Sequence, residues 1–246
     1  MKIYSTNRIN ALGLKGPEDT PEKIKQFLKT PINHIKVDNG NIQESEEILY
    51  KKAYEIFSSK EKSLIIGGDH SITYPIFKAF QQKNSNPFLI IFDAHADCME
   101  PGLEPTHEEF LRAIIENGFP SEKIILIGLR KIEPEEKIFL NTHNIKIFNE
   151  IYDLESATDY ITEKANGHDL YISIDIDALD PAFAPAVNYP EPNGLSSKEF
   201  FYIIKRLLKI KTLKNIDIVE AVPKKDSQFD FRTLRTIAKI IEEATL

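Results

Sequence analysis

Four stretches of this sequence carry side chains that could do chemistry together. "FDAHADC" (92–98) sets Asp93, His95 and Asp97 at every second position, which in an extended chain aims all three the same way. "IIGGDHS" offers His70, "SIDIDALDP" offers Asp175 and Asp177, and "DIVEAVP" offers Glu220. Taken one at a time, such residues are usually turn formers or caps, and Ser71 before "ITYP" and Asp180 before Pro181 are expected to be that. Taken together they are not so easily explained. Four carboxylates brought side by side repel one another, and desolvating even one without a partner costs several kcal/mol. The clusters contain no Lys or Arg, so cations are expected among them, and two divalent ions would balance the four Asp charges. Mixed imidazole and carboxylate ligation suits Mn, Fe, Co, Ni or Zn, and the lack of thiolates argues against a structural zinc site. Cys98 adjoins the cluster but its parity turns it to the opposite face. Two metals about 3.5–4 Å apart can share a water and lower its pKa toward neutrality, which is a hydrolase design.

Something must bring these stretches to one place. Short apolar runs alternate with amphipathic ones: strands are expected at 2–6, 34–38, 63–67, 87–93, 123–129, 145–149, 169–175 and 213–221. Helical spacing marks 20–29, 44–58, 74–82, 107–118, 154–165 and 196–210. Nearly all-apolar strands alternating with helices imply a mostly parallel sheet buried on both faces, and such sheets bind ligands beyond the carboxyl ends of their strands. All four polar stretches fall at those ends.

The bulk numbers agree with one large α/β domain over 1–246: the chain is 41% hydrophobic, with no internal repeat and no evident linker. Acidic residues outnumber basic ones 38 to 31, and the net charge of −7 speaks against nucleic acid or anionic membrane as partners and leans toward cationic small molecules. One cysteine excludes an intrachain disulfide and fits a reducing compartment. "MKIYSTNRIN" lacks the apolar core of a signal peptide, and no run approaches a membrane span, so a cytoplasmic protein is expected.

In this order and with these gaps, "GGDHS", "DAHAD" and "SIDIDALDPAFAP" resemble the three signatures of the ureohydrolases, the family of arginase, agmatinase and formimidoylglutamase. The likeness runs from "KGPEDTPEKI" through "IGLR" (127–130) to "VEAVP". It implies a three-layer α/β/α fold around an eight-stranded parallel sheet and a pair of Mn2+ ions, other first-row divalent metals being able to substitute. By position, one ion would take His70, Asp93, Asp97 and Asp175 and the other His95, Asp93, Asp175 and Asp177. Glu220 would align a guanidinium group by charge-assisted hydrogen bonds. His107, ten residues after Asp97, stands where the family carries a proton-transferring histidine, although its flanks differ from the His-Gly of arginases. Asp97 is counted with His107 and Glu220 among the catalytic groups. His34, His143 and His168 are expected to face solvent. A homotrimer or homohexamer is expected by similarity.

The substrate is read from departures. Where arginases hold the amino acid's carboxylate and amine with a Ser-Gly-Asn-x-His-Gly stretch, this chain has "CMEPGLEPTHEEF", whose Glu100 and Glu104 would repel a carboxylate. That favours a small cationic guanidino compound, with agmatine going to putrescine and urea. Arginine or formimidoylglutamate would instead require Arg130 or Arg112 to reach a carboxylate. Where the family shows Thr-Gly-Thr before Pro-Glu, this chain has "AVNYPEPNGL", and Tyr189 there either closes the pocket against long substrates or packs as a loop anchor. A metal-binding protein without turnover is the alternative of another class.

Overall fold

In a computed structural model of the chain, which describes residues 1–59, 61–149 and 151–246, eight strands form one sheet. They are β1 (Lys2–Thr6), β2 (Ile32–Ile35), β3 (Ser63–Ile66), β4 (Pro87–Phe92), β5 (Ile124–Ile127), β6 (Lys146–Phe148), β7 (Asp169–Asp175) and β8 (Leu213–Val219). Their order is β2-β1-β3-β8-β7-β4-β5-β6, and every pairing is parallel. The helices are α1 (Thr20–Lys23), α2 (Ile42–Phe57), α3 (Thr73–Lys83), α4 (Phe110–Glu116), α5 (Pro134–Thr142), α6 (Leu154–Ala165), α7 (Ser197–Leu207), α8 (Pro223–Asp226) and α9 (Arg232–Thr245).

The strand parity divides the core. Leu64, Ile66, Ile90, Phe92, Ile172 and Ile174 pack with α6, α7 and α9 on one face. Ile65, Leu89, Ile91, Leu126 and Tyr171 pack with α2, α3, α4 and α5 on the other. The result is the three-layer α/β/α arrangement. Helix α7 shows why its residues are helical: Phe200, Ile203, Ile204 and Leu207 repeat at one-turn spacing and are all buried, and a Ser196/Glu199 capping box satisfies its first amides. Each such side chain contributes about 1.5–3 kcal/mol on burial.

Several expected elements are shorter at their ends, 123–129 being Ile124–Ile127, 213–221 ending at Val219 and 196–210 at Leu207, and three differ in a way that needs a reason. The strand expected at 34–38 runs instead over Ile32–Ile35, because its only neighbour among the described residues, β1, pairs Ile3 with Ile32 and ends at Thr6 opposite Ile35. The helix expected at 20–29 is one α turn followed by a 3-10 turn at Ile24–Phe27, after which Leu28 turns extended. The helix expected from His107 begins at Phe110.

The sheet order places the chemistry. Strands β3, β8, β7 and β4 are contiguous, with Ile66, Ile218, Ile174 and Phe92 in one register row. The next residues along the chain are Asp93, just past β4, and Asp175, the last of β7, at the ends of strands about 4.8 Å apart. Chain order jumps from β3 to β4 across β8 and β7, so the row ends at a crevice between crossovers, where open parallel sheets bind ligands.

Candidate metal centre and its cavity

Each polar stretch is aimed by local backbone. After β3, the Gly67–Gly68 turn packs so tightly on the chain beyond β1 that a Cβ on Gly68 would lie 2.1 Å from the Arg8 carbonyl oxygen. Asp69 then caps the 3-10 turn at His70–Ile72 by accepting from the Ser71 amide; the capping role expected of Ser71 belongs to Asp69, and the Ser71 hydroxyl instead binds the Asp69 carboxylate and the Arg8 guanidinium. β4 ends at Phe92, the chain bends at Ala94 and only an isolated bridge to Lys131 remains at His95, so regular strand alternation does not run through Asp93, His95 and Asp97. Asp93 accepts from the His95 amide at 2.7 Å, and Asp97 adopts a left-handed backbone, φ 48°. Glu220, also left-handed at φ 69°, directly follows β8. Asp180 has the turn-forming place expected of it, accepting from the Ala182 and Gly194 amides.

These turns bring the six expected ligands together. His70 Nδ1 lies 2.9 Å from Asp93 Oδ2, 3.2 Å from Asp97 Oδ2 and 3.5 Å from Asp175 Oδ2. His95 Nδ1 lies 2.9 Å from Asp177 Oδ2 and 3.7 Å from Asp93 Oδ1. His70, Asp93 and Asp175 form one compact group and Asp93, His95 and Asp177 another, with Asp93 common to both. Asp97 closes on the first group through His70.

The charges fit cations. Burial pushes the Asp97 carboxyl up to about 8 with the help of Asp93, and burial with Asp177 and Asp93 holds Asp175 well above the usual carboxylate range. The His95 imidazole is raised to about 12, Asp177 and Asp93 outweighing its burial, and His70 is raised by its Asp neighbours in the same way. Without metal, two imidazolium ions and retained protons are what keep four carboxylates together. The contacts between them are poor hydrogen bonds: His70 Nδ1 and Asp93 Oδ2 are close, buried, and without an aligned partner. Donor atoms that converge without bonding one another are what a metal requires, and the all-N,O donor set suits a first-row divalent pair.

Behind His70 lies a support that the sequence reading did not single out. Its Nε2 is 2.9 Å from Ser173 Oγ, which donates to Asp217 Oδ1 at 2.6 Å; Thr73 and Tyr171 also donate to Asp217. Ser173 and Asp217 are register partners on β7 and β8, a juxtaposition visible only once the strands are ordered.

In front lies a cavity of about 240 Å³ lined by His95, Asp97, Asp175, Asp177, His107, Tyr189 and Glu220 and by a collar of Glu108, Glu133, Glu136 and Glu191. Glu220 is buried; its Oε1 accepts from the His70 amide at 2.9 Å, and burial and Asp69 raise its pKa. His107 is in the turn before α4 rather than capping it, and both its ring nitrogens are buried without hydrogen-bond partners. The Tyr189 ring stacks on it, centroids 6.1 Å apart. Glu100 and Glu104 are not among the lining residues. Arg130 spends its guanidinium on backbone carbonyls from Asp177 to Pro192, and Arg112 pairs with Glu116 and Glu135. Neither lines the cavity. Cys98 is buried, its amide on Glu136. His34 is exposed as expected, whereas His143 and His168 are only partly so, packed on Phe139 and Phe88.

A model of the arginase family matches residues 8–246. Mitochondrial arginase 1 of Arabidopsis thaliana is 32% identical over 191 residues, covering 74% of this chain and 54% of that protein. The chain thus spans about half the length of that plant arginase. The N(1)-aminopropylagmatine ureohydrolase of Thermus thermophilus is 27% identical over 207 residues, covering 82% of this chain and 68% of that one. The structure of formimidoylglutamase from Bacillus subtilis shares the fold, with a TM-score of 0.88 at 23% identity over 99% of this chain and 85% of that one. No helix among the described residues is long and apolar enough to cross a membrane.

Proposed function

The chain belongs to the arginase family, and on that premise we propose that it is a guanidinohydrolase of the agmatinase type, taking agmatine and water to putrescine and urea. One observation carries the substrate class. Glu108, Glu133, Glu136, Glu191 and Glu220 surround the cavity, and the one Lys or Arg among its described lining residues, Lys131, is 2.9 Å from Glu133. A ligand cationic at both ends is complementary to such a lining, and a free carboxylate is repelled. The commitments of Arg130 and Arg112 leave an arginine or formimidoylglutamate carboxylate without a partner. The name of the Thermus relative, N(1)-aminopropylagmatine ureohydrolase, points the same way.

His70, Asp93, Asp97 and Asp175 would hold one ion, and His95, Asp93, Asp175 and Asp177 the other. Two bound Mn2+ ions would supply a water acidified toward neutral pH and a field that favours charge developing on the attacked group. The chain's own residues do the rest. Glu220 uses one oxygen on the His70 amide, and its second accepts from a guanidinium N–H, turning the guanidinium carbon toward the metal ligands. His107, on the cavity wall and free of competing hydrogen bonds, delivers a proton to the departing amine nitrogen. Tyr189 covers the imidazole from the solvent side.

The test is a panel of agmatine, aminopropylagmatine, arginine and formimidoylglutamate on the manganese-loaded protein, with amine, urea and formamide read together and Asp93→Ala as the inactive control. Urea with putrescine from agmatine, and little from arginine, is expected. No product from any guanidine, or formamide as the main product, overturns the reading.

A further inference from the structure

We propose that Tyr189 is the specificity-determining residue of this cavity, an aromatic shutter that admits slender guanidines and excludes those branched or ring-bearing beside the guanidinium. This rests on the guanidinohydrolase reading. The ring lies against both histidines of the cavity, parallel to His107 (6.1 Å, 15°) and edge-on to His95 (6.0 Å, 72°). It therefore stands between the metal ligands and the proton-transferring wall, where a substituent next to the guanidinium must pass. The cavity, about 240 Å³, is at the small end for ligand sites, so one aromatic ring takes a large share of its width.

The ring is carried by a segment pinned at both ends. Lys225 Nζ donates to Val187 O at 2.8 Å and to Asn188 Oδ1 at 3.1 Å. Arg130 donates to Glu191 O at 2.8 and 3.2 Å and to Pro192 O at 3.1 Å. Two cations thus hold the backbone on either side of Tyr189, and the Ala186 carbonyl accepts from the Val222 amide as well. The shutter is built in place, not folded over the ligand on binding. No described residue hydrogen-bonds the Tyr189 hydroxyl, so packing of the ring holds it, and phenylalanine should serve equally.

The experiment compares wild type, Tyr189→Ala and Tyr189→Phe on two probes of equal charge, agmatine and its analogue with a methyl branch on the carbon bearing the guanidino nitrogen. Both kcat/KM and equilibrium binding by calorimetry are measured. Tyr189→Ala should raise the branched-to-slender ratio at least about tenfold, the discrimination one or two carbon groups can carry in a fitted pocket. Tyr189→Phe should keep the wild-type ratio. An unchanged ratio in Tyr189→Ala, or a Phe variant that behaves like the Ala variant, overturns the shutter. If neither probe is hydrolysed by any variant, the functional reading falls, and the binding ratios decide the shutter alone; wild-type protein that binds both probes equally, or neither, overturns it.

Discussion

At the scale of single residues, the site depends on which nitrogen of His70 faces the carboxylates. Ser173 Oγ donates to Asp217, so it is left to accept a proton from His70 Nε2, and that fixes Nδ1 as the bare, ligating nitrogen. Asp217 is held fully buried by three hydroxyl donors, and burial raises its pKa against them. Replacing Ser173 with Ala removes the acceptor while leaving all six candidate ligands in place. The expected outcome is a loss of metal affinity of about 10–100-fold with the fold retained, measured by metal titration beside circular dichroism. Unchanged affinity would mean that the ring is held by packing against Phe110 alone. The ligands themselves were legible in the sequence because their types and spacing are unusual in combination. Ser173 and Asp217 were not, since a serine and an aspartate far apart in the chain acquire a joint role only through sheet register. The collar was equally hidden: the acidic loop 98–110 was visible, but it turns Glu108 inward and not Glu100 or Glu104, and Glu133, Glu136 and Glu191 reach the cavity from other segments.

At the scale of elements, the strand ends do the positioning, and the tightest of them is the turn after β3. Gly68 approaches the backbone beyond β1 so closely that any side chain meets the Arg8 carbonyl, which cannot swing aside as a flexible side chain could. Arg8 is itself fully buried, with its guanidinium on Ser71 and Ser45. Gly68→Ala should therefore destabilise the protein by about 1–3 kcal/mol, as overpacking does, lowering the melting temperature by on the order of 5 °C. Because His70 follows two residues later, metal affinity should fall with it; a variant with wild-type melting would show that the turn has room. The same scale shows where sequence patterns suffice. Helix α6 is found at its expected bounds because its apolar period and Asp153 cap are both local. Helix α9 has an equally plain period in Leu234, Ile237, Ala238 and Ile241, and the expected elements omit it although the signal is present. Helix α5 is short and marked chiefly by Pro134 and the Glu133/Glu136 capping box, a weaker cue. Strand β2 is misplaced for a reason no local pattern contains: its length is set by where β1 stops.

At the scale of the whole molecule, the centre ties four adjacent strands together and burdens them. Without metal, buried carboxylates at the ends of β4 and β7 are kept together only by protons and imidazoles, and burial, with Asp177 and Asp93 beside it, opposes the ionised form of Asp175. A carboxyl whose pKa is raised on folding retains its proton in the native state where the unfolded chain releases it, so stability falls as pH rises through the interval between the two values. Metal-free protein should accordingly melt lower as pH increases across the neutral range. Asp175→Asn removes that charge while Oδ1 can still accept from the Asp177 amide, now 2.8 Å away. In the metal-free state this variant should be more stable than wild type and its melting less dependent on pH. With manganese the order should reverse. Ligand at a hundredfold excess over its dissociation constant stabilises by about 2.7 kcal/mol, which for a chain of this size is a rise of about 5–10 °C in wild type. The variant, with one donor of the His70 group weakened, should gain much less. Scanning calorimetry of both proteins, with and without manganese at two pH values, decides the matter. If Asp175→Asn is less stable than wild type in every condition, the carboxylates are held by packing rather than strained by their charge, and the electrostatic case for cations at this site is lost.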